Sequence, residues 1–154
     1  MRQELGERPL VAHDRDVGIP LRDALHKIRR VVYIAAPLSG PDRAANLARA
    51  ARWAVFAAQC GYAPACTWIV LAGQLDETPA NRDMGLAVDI EQIRRSDEIW
   101  LVGGRISDGM RIEQAWARAF GVEVLDMHTL AEPSPLDSVF ASEMRKRARR
   151  GSWR

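Results

Sequence analysis

Strand-like and helix-like segments alternate along this chain, and the alternation predicts an α/β fold around a parallel sheet. Two observations carry the prediction. RVVYIAA (Arg30 to Ala36) and DEIWLVGG (Asp97 to Gly104) are continuous apolar runs rich in β-branched and aromatic residues, the mark of strands buried on both faces. Each is followed by an amphipathic helical stretch closed by a glycine. With the shorter strand-like segments, the sheet has four to five strands. The architecture is a flavodoxin-like or Rossmann-like three-layer sandwich, in which ligands bind beyond the carboxyl ends of the strands.

The elements follow in order. Residues 1–29 read as an N-terminal arm, with a short helix starting at Leu21. Residues 30–154 read as a single domain with a basic C-terminal helix and tail. The first strand is broken by PLSGPD. RAANLARAARWAVFAAQCG (Arg43 to Gly61) is an Ala-rich helix with Leu47, Ala51, Ala54, Val55 and Ala58 at helical spacing. YAPACTWIV reads as a short strand and then a loop, and LAGQLDETPANRDM as a long loop. GLAVDIEQIRRS is a helix with Leu86, Ile90 and Ile93 on one face. After DEIWLVGG come the helix GMRIEQAWARAFG, the strand VEVLDM and a final helix in PLDSVFASEMRKRARR. The ends of the first three strands, at APLSGPD, CTWIV and GGRISDG, should meet in one crevice.

The totals fit one globular domain: 154 residues, 47% apolar and 27% charged. A net charge of +2 does not point to nucleic acid. The basic stretch Glu143 to Arg154 reads as a solvated helix end, or as a contact to an acidic partner. Cys60 and Cys66 lie in no metal-binding pattern and read as reduced thiols of a cytoplasmic protein. No signal-peptide h-region and no membrane-length apolar run is found. His13, His26 and His128 are assigned no chemistry.

Two carboxylates stand out. Glu113 shares a helical stripe with Met110, Trp116 and Phe120, and Asp89 borders the apolar face set by Leu86 and Ile93. Burying a carboxylate is costly. Each could be a structural acid paired with Arg82, Arg94, Arg105 or Arg111. Together, near one crevice, they are the usual equipment for cleaving a glycosidic bond. SDGM places Ser107 and Gly109 at a helix start, a ready anion seat. PLSG offers Ser39 and Gly40 as a second small polar turn. Either could equally be a plain N-cap. Neither the P-loop nor the dinucleotide glycine pattern is present. Trp68 could stack on a base, with Met84 and Trp116 nearby, although core packing explains all three as well. Arg43 is a candidate second phosphate ligand.

Taken in order, VVYIAAPLSGP with Asn46 in the next helix, AVDIEQIRRSDEIWLVGG and SDGMRIEQAWARAFGVEV resemble the nucleoside 2-deoxyribosyltransferase-like superfamily. They are most similar to its small phage and bacterial members. The resemblance spans roughly residues 31–127. It implies that Glu113 is the nucleophile on the anomeric carbon. It implies that Asp89 binds the sugar or transfers a proton to the leaving base, and that Tyr33 orients the nucleophile. Six residues before the nucleophile, nucleoside-type transferases carry aspartate. Ser107 stands there, as in the branch that hydrolyses nucleoside 5′-monophosphates. A hydroxyl at a helix N-terminus would bind a phosphate that an aspartate would repel. Ala36 replaces a common glycine, and its methyl would crowd the sugar.

The sequence therefore predicts cleavage of the N-glycosidic bond of a (deoxy)nucleoside 5′-monophosphate, with no metal or organic cofactor. Its partners would be a nucleotide or nucleoside, with no nucleic acid and no membrane. The resemblance further implies a homo-oligomer. Two alternatives stand beside this reading: a nucleotide-binding or sensing module without turnover, and a nucleoside 2-deoxyribosyltransferase.

Overall fold

A computed structural model describes residues 27–28 and 30–150. Most of the predicted arm and short helix, along with His13, His26 and the last four residues, lies outside the described residues. The sheet has four parallel strands: β1 (Arg30–Ala35), β2 (Tyr62–Ala65), β3 (Glu98–Leu101) and β4 (Glu123–Asp126), in the order β2-β1-β3-β4. The helices are α1 (Arg43–Gln59), α2 (Thr67–Gln74), α3 (Pro79–Arg94), α4 (Asp108–Ala119) and α5 (Val139–Arg149). The predicted α/β class and parallel sheet are both present.

Chain order reverses between β1 and β3, so the crevice between their carboxyl ends is the natural ligand site. Right-handed crossovers put α1 on one face of the sheet and α2 to α4 on the other. The contacts agree, because α3 packs on α2 and α4, while Phe56 of α1 stacks on Phe140 of α5. Side chains alternate along a strand. Glu98 and Trp100 therefore share one face of β3, and Ile99 shares the opposite face with its register partner Tyr33.

Two sequence expectations need correction. TWIVLAGQ is helix, not loop, and α3 begins at Pro79, well inside the predicted loop. Thr78 caps α3 by accepting from the Asn81 amide at 3.1 Å, and proline at the first helical position completes a start signal that was present in the sequence. The start of α2 depends on a distant residue. The Thr67 amide donates to Gln92 Oε1, and the Gln92 amide donates to Thr67 Oγ1. The second correction is the inward face of α1. Ala50, Trp53, Phe56 and Ala57 are buried, whereas Val55 is 56% exposed and Ala58 is exposed. The two aromatic rings carry the larger apolar area, so their burial sets the rotation of the helix.

At the amino ends of the strands Glu98 is fully buried. Its oxygens accept from Arg30 at 2.8 and 3.0 Å, from Arg147 at 3.2 and 3.3 Å and from the Trp100 indole at 2.7 Å. Arg147 also pairs with Glu123. The basic helix end is therefore only partly a solvated face, because Arg147 turns inward and ties α5 to β3 and β4. No helix among the described residues is long and apolar enough to cross a membrane.

Glu98→Ala would leave two arginines facing a buried gap. It should cost about 3–5 kcal/mol, read as a lower midpoint in urea unfolding. A loss below about 1 kcal/mol would mean that water replaces the carboxylate.

Candidate active site

Tyr33 lies on the α3/α4 face of β1, fully buried near the carboxyl end of the strand. Its hydroxyl donates to Glu113 Oε1 at 2.7 Å. Glu113 comes from α4, where Met110 and Ala117 are buried on the same side. Phe120, predicted on that stripe, is instead 42% exposed at the helix end. Asp89 of α3 is 8% exposed, and its Oδ1 has no hydrogen-bond partner among the described residues. The structure thus brings Tyr33, Asp89 and Glu113 together from three elements.

None of the four arginines that the sequence offered as partners reaches either acid. Arg82 pairs with Glu77, Arg94 pairs with Glu91, and Arg105 donates to the Ser39 carbonyl. Arg111 makes no ion pair among the described residues. With no cation on them among the described residues, burial dominates the acidities. It pushes Glu113 up from 4.5 to about 8, opposed by the Tyr33 hydrogen bond and assisted by the Asp89 charge. Burial pushes Asp89 up from 3.8 to about 6, opposed by the Tyr33 hydroxyl. Tyr33 is held well above its ordinary value by burial and then by the two carboxylates. Between pH about 6 and about 8 the pair holds about one proton, which Glu113 keeps to the higher pH.

Asp89 also forms part of the wall of a cleft of about 210 Å³. Leu38, Arg43, Trp68, Leu71 and Leu86 line the same cleft. Its volume is below the roughly 300–1,000 Å³ of most small-molecule sites, so it has room for a ring system rather than a whole nucleotide. Trp68 is mostly core: it is 8% exposed and its indole donates to the Ile34 carbonyl. Only part of it faces the cleft. Arg43 donates to the Ala72 carbonyl at 2.8 Å and lies 3.8 Å from Glu77. Trp116 is half-buried against the core, and Met84 is 45% exposed.

Ser107 is the N-cap of α4, with its Oγ accepting from the Met110 amide at 3.2 Å. Gly109 follows in the first turn. Ser39 and Gly40 occupy the turn after β1. The carbonyls of Leu38 and Ser39 accept from Asn46, and the Ser39 carbonyl also accepts from Arg105 at 2.6 Å. This last link was missed from sequence. No local pattern marks it, since it joins the loops after β1 and β3. The two loops touch at Gly103, where φ is +106° and a Cβ would come within 2.7 Å of Pro37 Cδ. That added methyl would also lie 3.5 Å from Ala36 Cβ, so the Ala36 side chain borders this joint. His128 sits after β4 with Nδ1 2.5 Å from Asp126 Oδ1. Cys60 and Cys66 are both free.

Residues 30–127 match the family described as Domain of unknown function (DUF7768). The chain belongs to this family. No match is found among curated proteins. Among solved structures, the chain is similar to a 2-deoxyribosyltransferase from the psychrotolerant bacterium Bacillus psychrosaccharolyticus. The TM-score is 0.50 at 17% identity, covering 68% of this chain and 77% of that one. At that identity the likeness speaks for the fold.

The raised acidities make a stability prediction. The folded state keeps protons that the unfolded chain releases. This contribution is complete below the ordinary carboxyl values, and it is lost as pH rises through about 6 for Asp89 and about 8 for Glu113. Glu113→Gln should gain stability over the wild type as pH rises from about 5 to about 9, with little difference near pH 4. Thermal unfolding across that range checks it. A difference that does not vary with pH would mean that Glu113 is ionised throughout.

Proposed function

We propose that the chain cleaves the N-glycosidic bond of a (deoxy)nucleoside 5′-monophosphate, releasing the free base. The observation that carries the reading is the Tyr33–Glu113 hydrogen bond beside Asp89, whose Oδ1 has no partner among the described residues, at the carboxyl end of the sheet. The fold shared with a 2-deoxyribosyltransferase supports the same class of chemistry.

In the productive form, the minor one given the higher value of Glu113, the proton lies on Asp89 and Glu113 is a carboxylate. Glu113 attacks the anomeric carbon as the bond to the base breaks. Asp89 gives its proton to the departing base. Water then attacks the same carbon, the glycosyl–Glu113 bond breaks, and the water's spare proton returns to Asp89. The products are base and sugar 5-phosphate. Tyr33 holds Glu113 in place and stabilises its charge when it leaves as a carboxylate. Ser39, Gly40, Ser107 and Gly109 would hold the phosphate, with Arg43 and Trp68 on the cleft wall towards the base. The small cleft is consistent with completion by a second copy in a homo-oligomer.

Transfer of the sugar to a second base is the runner-up, favoured by the name of the solved relative. It predicts that an added free base forms a new nucleoside or nucleotide. A binding module without turnover would release no base at all.

Base release from ribo- and deoxyribonucleoside 5′-monophosphates and their nucleosides should be followed by chromatography. Release from monophosphates is expected, and Glu113→Ala should lower it by at least about 10³-fold. Unchanged release in that variant would sink the assignment. With the wild type, kcat/KM should be bell-shaped in pH, with limbs near the pair's values of about 6 and about 8. A profile flat across this range would exclude the pair as acid and nucleophile.

A further inference from the structure

Arg105 is the charged residue that spans the crevice. It follows β3, and its Nη2 donates to the Ser39 carbonyl after β1 at 2.6 Å. These two strands are neighbours at the point where chain order reverses. The side chain is exposed, and no carboxylate among the described residues lies within ion-pair distance of it. Arg43, Arg82 and Arg94 each have such a partner. A guanidinium has five donors, and this one uses a single one on a carbonyl.

Asn46 and Arg105 hold the Leu38 and Ser39 carbonyls, which fixes the turn beside the guanidinium. Gly40 has φ +126° and no side chain, and a Cβ there would lie only 3.7 Å from the guanidinium. The start of α4 is less favourable than it looks from Ser107 alone. The Ser107 hydroxyl oxygen already caps Met110, and Asp108 adds a carboxylate to the first turn. An anion at this end needs a cation, and Arg105 supplies it.

The cleft adds an independent sign of a ligand. Asp89 Oδ1 is buried there with no donor among the described residues. Leu38 lines that cleft and is followed directly by Ser39, which Arg105 holds. The Leu38–Ser39 segment thus joins the wall of the cleft to the turn that the guanidinium holds.

We propose that Arg105 is the specificity-determining residue for the 5′-phosphate, binding it across the crevice between the Ser39–Gly40 turn and α4. This rests on the nucleotide reading given above. It goes further by naming the residue that separates nucleotides from nucleosides.

The test uses the full chain and a base-independent probe, 2-deoxyribose 5-phosphate, with 2-deoxyribose as its uncharged control. Calorimetric titration should show that the wild type prefers the phosphate and that added salt weakens the preference. Arg105→Ala should reduce the preference by about tenfold or more. Arg105→Lys should keep only part of it. Arg105→Gln is polar but uncharged and shorter than arginine, so it should lose the preference as alanine does, and the part kept by Arg105→Lys together with the salt dependence separates charge from latch. A glutamine variant that binds the sugar phosphate like the wild type overturns the proposal, as does a wild type with no preference. The base-release screen fails separately. No release, with phosphate preference lost in Arg105→Gln, retires the reaction and keeps the phosphate site. Release from nucleosides and monophosphates alike, with no preference for the sugar phosphate, retires the role of Arg105 and keeps the reaction.

Discussion

Glu98 shows what a buried carboxylate requires in this fold. Two arginines and an indole surround it, and through them β1, β3 and α5 are fastened together at the amino ends of the strands. Removing a charge from water is tolerable when the geometry of its partners is this complete. With that end of the sheet secured, the strands hold a fixed register. The register sets which side chains project at the other end. Tyr33 faces α3 and α4 because Val32 pairs with Glu98 and the alternation carries forward by one residue.

The carboxyl end of the sheet is built on the opposite terms. Asp89 and Glu113 are held largely away from water with no cation on them among the described residues, and one tyrosine hydroxyl serves them. Their raised acidities follow from that shortage. Such strain persists only where surrounding structure holds it in place, and it clusters at functional sites. The same chain thus contains a satisfied acid that supports the sheet and two under-served acids that are available for chemistry.

The loops above the crevice are coupled to one another. Gly103 lets the loop after β3 lie against Pro37, and Arg105 reaches across to Ser39. The distance between the turn after β1 and the start of α4 is therefore set by contacts outside the acid pair. This separates the tasks of the two regions. The carboxylates and tyrosine address the bond that breaks, and the bridged loops address the far end of the ligand.

Much of this was legible from local pattern. The buried runs around Tyr33 and Trp100, and the helical stripe bearing Glu113, came from periodicity alone. Asp89 and Glu113 were visible as acids on apolar faces, and Ser107 as a cap. The misses have physical causes. Trp53 and Phe56 turned α1 away from the face that its small residues suggested. The start of α2 is completed by Gln92 from another helix. The inward turn of Arg147 depends on Glu98, 49 positions away. Periodicity and capping are local, so the sequence by itself determined the alternating elements, the parallel sheet and the candidate acids. Tertiary structure alone decided the partners. Tyr33 and Glu113 are 80 positions apart and Ser39 and Arg105 are 66 apart. Only strand order, register and crossover hand bring such residues within hydrogen-bond reach, and among the described residues they leave Asp89 Oδ1 without a donor and Arg105 without a carboxylate.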